Sequence, residues 1–92
     1  MTRLLSIGAA SRLIVNANAI GGQLDVELVD EYIRPVPGFT RADFTPIRTD
    51  GVSQVCRWKK NPNLVPLLGK MVRMRFYLRS ADLFAFELAK PR

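Results

Sequence analysis

Ninety-two residues fit a single module spanning residues 1–92, and a chain this short buries only about 60% of the surface it exposes when unfolded. Its composition, 48% hydrophobic and 24% charged, is that of a globular domain and excludes a disordered one. With no histidine and the single cysteine Cys56, it also excludes a Ser-His-Asp triad, a Cys-His nucleophile, a His-ligated metal and an internal disulfide. The net charge of +6 is spread from Arg3 to Arg92, with no basic run longer than Lys59-Lys60, so charge alone marks no single face for a polyanion.

The opening Met1-Thr2-Arg3-Leu4-Leu5 lacks the long apolar core and small-residue cleavage site of a signal peptide. No stretch approaches the roughly 18–20 apolar residues of a membrane span, so no membrane partner is expected. Arg12 to Ala19 reads as a strand, and Gln23 to Asp30 as a second, half-buried one, with Leu24, Val26 and Leu28 apolar against Gln23, Asp25 and Glu27. Gly21-Gly22 between them can supply the positive φ angles of a tight turn and predicts a β-hairpin.

Arg34-Pro35-Val36-Pro37-Gly38-Phe39 is a turn. Thr40-Arg41-Ala42-Asp43 has the spacing of a capping box and predicts one helical turn, stopped by Pro46. Thr49-Asp50-Gly51 predicts another turn and Gln54 to Lys59 a strand. Asn63 is placed to cap a single turn that runs through Leu68 and closes at Gly69. Lys70 to Arg79 is the longest predicted strand, with Val72, Met74, Phe76 and Leu78 on one face and Met71, Arg73, Arg75, Tyr77 and Arg79 on the other. In the last strand Phe84, Phe86 and Leu88 are expected to share a side, opposite Leu83, Ala85 and Glu87. No window sustains an apolar period of 3.6, so the fold class is all-β, an antiparallel β-sandwich or partial barrel.

Several motifs follow one another in an informative order: Leu13-Ile14-Val15-Asn16-Ala17-Asn18-Ala19, Gly21-Gly22-Gln23-Leu24-Asp25-Val26-Glu27-Leu28-Val29-Asp30, Pro35-Val36-Pro37-Gly38-Phe39, Pro46-Ile47-Arg48-Thr49-Asp50, Val55-Cys56-Arg57-Trp58-Lys59, Leu64-Val65-Pro66-Leu67-Leu68-Gly69-Lys70-Met71-Val72-Arg73-Met74-Arg75-Phe76 and Ala81-Asp82-Leu83-Phe84-Ala85-Phe86. Together they resemble the C-terminal β-sandwich module of secreted bacterial proteins related to five-bladed β-propeller glycoside hydrolases, over about Thr2 to Leu88. The resemblance implies a sandwich of the jelly-roll or concanavalin-like kind that serves as an accessory, non-catalytic module. Its implied partner is a propeller or catalytic domain, or a second copy in a homo-oligomer. Family members carry a further strand before the segment matching Leu4-Leu5-Ser6-Ile7. Against that pattern the chain lacks its first strand, as expected of a truncated reading frame, a fragment or a module split from its propeller, and a sheet edge or apolar face is expected to stand uncovered.

Four kinds of site come from the residues themselves. The loop acids Asp43, Asp50 and Asp82 are the only carboxylates placed for paired acid–base work, and turn-shaping accounts for them better. Calcium is the one cofactor with candidate ligands, namely Asp30, Glu31, Asp50, Asn61, Asn63 and Asp82, at no calcium-loop spacing. A glycan would stack on Tyr77, Trp58 or Tyr32. Trp58 fits a core plug better, and Tyr77 is the ring expected to be exposed. The basic row Arg73, Arg75 and Arg79 around Tyr77 has the composition of a nucleic-acid surface, but cross-strand pairing with Asp25 and Glu27 explains it better, so a nucleic-acid partner is not expected. The functional expectation is a non-catalytic interaction module, with a carbohydrate-binding module second and a polyanion binder third.

Overall fold

The computed structural model describes residues 1–90. Six strands are laid down in chain order: β1 Leu5–Ser6, β2 Arg12–Asn18, β3 Gln23–Val29, β4 Asp50–Val55, β5 Met71–Arg79 and β6 Asp82–Ala89. They form two three-stranded antiparallel sheets, β1-β5-β3 and β4-β2-β6. The sheets pack face to face over one apolar core, an antiparallel β-sandwich as expected. Single 3-10 turns at Arg41–Asp43 and Val65–Leu67 are the helical elements among the described residues, and no helix is long and apolar enough to cross a membrane.

Alternation builds both layers. In β2 the residues Leu13, Val15 and Ala17 point inward and are fully buried, with Arg12, Ile14, Asn16 and Asn18 between them facing out. In β3 and β5 the inward rows are Leu24, Val26 and Leu28, and Val72 and Met74. The far side of β3 is buried too, at Asp25, Glu27 and Val29, because the loop carrying the first 3-10 turn lies over it.

The predicted β2–β3 hairpin does not form. β2 pairs with β4 and β6, whereas β3 pairs with β5. Arg12 to Asn18 runs against Ala89 to Asp82, and Gln23 to Val29 runs against Arg79 to Arg73, in almost one continuous register. The molecule is therefore a long two-stranded ribbon folded over itself. Gly21-Gly22 and Ser80-Ala81 are the two sides of its bend, which carries each strand from one sheet to the other. Gly21 has φ +77°, and Gly22 lies directly against the carbonyls of Arg79 and Ser80. The glycine pair is a turn, as read, but one between layers.

Two strand boundaries also differ from expectation. The strand read as Gln54 to Lys59 is Asp50–Val55, so the predicted Thr49-Asp50-Gly51 turn is largely its first residues. Beyond Val55 the chain leaves β2 after one last bond from Cys56 N–H to Leu13 C=O, and Trp58 and Asn61 bond each other across a tight turn. Cys56 and Trp58 keep the buried alternation of a strand without staying in the sheet. In β6 the pairing register shifts opposite Asn16/Ala17, so Leu83, Phe86 and Leu88 face the core row of β2 and Phe84 is displaced outward, 65% exposed. A β-bulge changes the face of every residue beyond it.

Trp58 closes the end of the core. Its ring meets Phe39 and Phe44 edge to face, each at 5.2 Å between centroids, and its indole N–H donates to the carbonyl of Val26 at 3.2 Å.

The bend makes a pair of contrasting predictions. Gly22→Ala forces a methyl group into two main-chain carbonyls and is expected to cost about 2–3 kcal/mol. Gly21→Ala meets nothing within 4 Å and suffers only from its positive φ, at about 1 kcal/mol. Urea denaturation midpoints of the two variants check the order.

Candidate functional site

The outward face of β3 and β5 holds a polar cluster whose registry follows from the ladder. Glu27 stands opposite Arg75, Asp25 opposite Tyr77, and Gln23 opposite Arg79. Glu27, 8% exposed, is surrounded by donors. Its Oε1 accepts from Arg75 Nη1 at 3.3 Å and from the Tyr77 hydroxyl at 3.2 Å, and its Oε2 accepts from the Arg41 main-chain N–H at 3.2 Å. Asp25 Oδ2 accepts from Gln23 Nε2 at 2.8 Å and pairs with Arg41 Nε at 3.6 Å. The Arg41 guanidinium also stacks on the Tyr77 ring, 4.0 Å from its centroid.

Arg41 is the member that the sequence did not reveal. Thr40-Arg41-Ala42-Asp43 does form one helical turn, in which the Thr40 hydroxyl donates to the Asp43 carboxylate at 2.9 Å. Nothing in its spacing says that the turn folds back over the acids of β3. Beside it a groove of about 690 Å³ runs past Glu27, Thr40 and Lys59, and a smaller cavity of about 310 Å³ lies between Gln23, Arg41, Tyr77 and Arg79.

The cluster changes the reading of the aromatic candidates. Tyr77, expected to be exposed, is half-buried: Glu27 holds its hydroxyl and Arg41 covers its ring. Trp58 is 1% exposed and has no open face for a sugar. Tyr32 is exposed, but the Arg34 guanidinium stands 4.9 Å from its ring centroid. The three rings share no surface that one glycan could span. Of the basic row, Arg75 is paired with Glu27. No carboxylate among the described residues lies within ion-pair distance of Arg73 or Arg79. Arg79 touches only the Gln23 side-chain oxygen, at 3.4 Å, and the Arg73 Nε is buried without a partner.

The loop oxygens are engaged locally. Asp30 accepts from the main-chain N–H groups of Arg34 and Tyr32, each at 2.9 Å, and the Arg34 N–H foremost holds its carboxyl below the usual 3.8. Asn63 accepts from the Val65 N–H, but the helical turn is Val65–Leu67 with Leu64 at its N-cap, so Asn63 stands one residue before the capping position expected of it; Asn61 donates to the Gly38 carbonyl. Asp50 and Asp82 flank Asn18 on opposite edges of β2. Glu31 is exposed. No group of three or more acidic or cysteine ligands converges among the described residues.

Cys56 is buried, and loss of hydration pushes its thiol up to about 12. Burial there favours the neutral thiol. Its contribution to stability is complete below the unfolded value of 9.0 and is lost as pH rises toward 12.

No protein-family model, curated protein or solved structure matches the chain.

Two measurements test the site as described. Glu27→Ala strands Arg75, Tyr77 and the Arg41 N–H without an acceptor and is expected to cost about 2 kcal/mol in urea denaturation, discounted for the part-exposed arginine. Exposed Glu31→Ala is expected to stay within about 0.5 kcal/mol. Cys56 is expected to resist a maleimide at pH 8 in the folded chain and to react fully in denaturant, with stability declining more steeply above pH 9 in the wild type than in Cys56→Ala.

Proposed function

We propose that this chain is a non-catalytic accessory module, a β-sandwich whose task is to be packed against by another domain. One observation carries the reading: the core opens along a single strand. On the inward face of β5, Val72 and Met74 are 2% and 0% exposed, Phe76 is half-buried and Leu78 is 48% exposed. Phe86, tilted against Phe76 at 5.3 Å between centroids, is 38% exposed. These side chains belong to the core rows by position, yet they face solvent at one edge.

Apolar surface continuous with a core is costly to leave in water, and most of all for a chain with so little core to spare. A covering partner removes that cost. The resemblance to sandwich modules of propeller-type proteins supports the same reading, with a propeller or catalytic domain as occupant, or a second copy. The glycan reading draws less support, because Tyr32 alone of its rings is exposed. The polyanion reading is weakened by the carboxylates that hold Arg75 and Arg41.

Sedimentation velocity tests the proposal, with the chain alone across concentration and mixed with the domain encoded beside it. The expected result is a complex heavier than the monomer, abolished by Leu78→Lys and Phe86→Lys in variants whose circular dichroism is unchanged. A monomer under both conditions, or a complex indifferent to both substitutions, would falsify the reading.

A further inference from the structure

We infer that the open edge of β5 is a strand-acceptor site for an extended segment of a partner protein that alternates apolar and acidic residues. The inference rests on the interaction role proposed above and specifies its mode. β5 is paired with β3 from Arg73 to Arg79 on one side, but on the other side only near its start. There Leu5 and Ser6 pair with Val72 and Met71, and Thr2 ends the line. Its N–H bonds the Met74 carbonyl and its hydroxyl accepts from the Met74 N–H, in the place of a main-chain carbonyl. From Phe76 to Arg79 no main-chain partner follows on that side among the described residues.

The direction of the free groups follows from the ladder. In β3, Leu24 bonds Ile47 and Leu28 bonds Phe39 and Val36, all away from β5, so the hydrogen-bonded pairs between the two strands are those of the alternate residues, Glu27 with Arg75 and Asp25 with Tyr77. The N–H and C=O groups of Phe76 and Leu78 therefore point outward along the open edge, as those of Met74 do toward Thr2. The same two residues present the exposed part of the core row. One added strand would satisfy the main chain and cover Phe76, Leu78 and Phe86 together.

The contrast with β3 argues that this edge is not open by default. On the far side of β3 the outward groups are met without a strand at Leu24 by Ile47, at the Val26 carbonyl by the Trp58 indole, and at Leu28 by Phe39 and Val36. Half of the corresponding edge of β5 has nothing.

Charge gives the partner its chemistry. Residues opposite Phe76 and Leu78 face inward, where only apolar side chains fit. Residues opposite Arg75 and Arg79 face outward beside two guanidiniums, of which Arg79 meets no carboxylate. On a chain of net charge +6 this favours acidic side chains at the alternate positions. Strand addition of this kind draws affinity from the main chain and specificity from alternate side chains.

The test is fluorescence anisotropy with a short labelled peptide alternating glutamate and valine. Each valine N–H would bond β5, and each glutamate N–H would point away. N-methylation of the valines is expected to weaken binding at least about tenfold, and N-methylation of the glutamates to leave it within about twofold. Arg79→Glu and Leu78→Lys are each expected to weaken the unmodified peptide about tenfold. Equal effects of the two methylated series, or equal binding by an all-glutamate or a lysine–valine peptide, overturn strand addition in favour of plain electrostatic attraction. If the sedimentation complex forms but no peptide binds, the strand-acceptor inference fails and the interaction role stands; if neither forms, both fall.

Discussion

The hydrogen bond from the Trp58 indole to the Val26 carbonyl joins two requirements that a small sandwich finds hard to meet at once. The core needs volume at its end, which the indole supplies against Phe39 and Phe44. The strand β3 needs acceptors satisfied along an edge that no other strand covers, and the indole N–H supplies that too. Both faces and the far edge of β3 are then closed, so that the acids Asp25 and Glu27 can be held almost dry. Remove the indole, and the loops that wrap β3 keep their main-chain bonds at Leu24 and Leu28 but lose the ring that Phe39 and Phe44 pack against.

Most of this architecture was legible from alternation alone. The strands at Arg12–Asn18, Gln23–Val29 and Met71–Arg79 sit where period-two patterning puts them, because each has one row of side chains that must be buried. Pairing was not legible. Gly21-Gly22 has the chemistry of a hairpin turn, and a turn between layers asks for the same permissive backbone. A folded-over ribbon keeps both apolar rows inward, as a flat hairpin would, so the pattern cannot separate the two. The bulge in β6 was equally silent: Phe84 and Phe86 read as neighbours on one face, and one extra residue sets them on different sides.

The polar cluster divides along similar lines. Pairing of Arg75 with Glu27 follows once the two strands are neighbours, and alternation puts both outward. The position of Arg41 does not follow, since a turn's path over a sheet is a matter of loop geometry rather than of period. That one placement decides the fate of Tyr77, whose ring reads as open from its strand and is covered by a residue far from it in sequence. Trp58 was legible as a core plug for a general reason: a lone indole among apolar neighbours gains more from burial than from display.

The folded-over ribbon has a consequence for how the chain reaches its native state. Every rung of the ribbon joins distant parts of the sequence, from Val29 with Arg73 at one end to Arg12 with Ala89 at the other. The first of these closes the shortest loop and the last the longest, so chain entropy favours zippering from the β3–β5 end, through the bend, into β2 and β6. The bend must then be shaped in mid-course, with Gly22 passing the carbonyls of Arg79 and Ser80 before the second layer can seat. The apolar strand β6 comes last, and until it docks the nascent chain presents Leu83, Phe84, Phe86 and Leu88 to whatever is nearest. Synthesis beside a partner domain of the kind proposed would shorten that interval of risk, so that such a partner would act on the order of folding as well as on the finished surface.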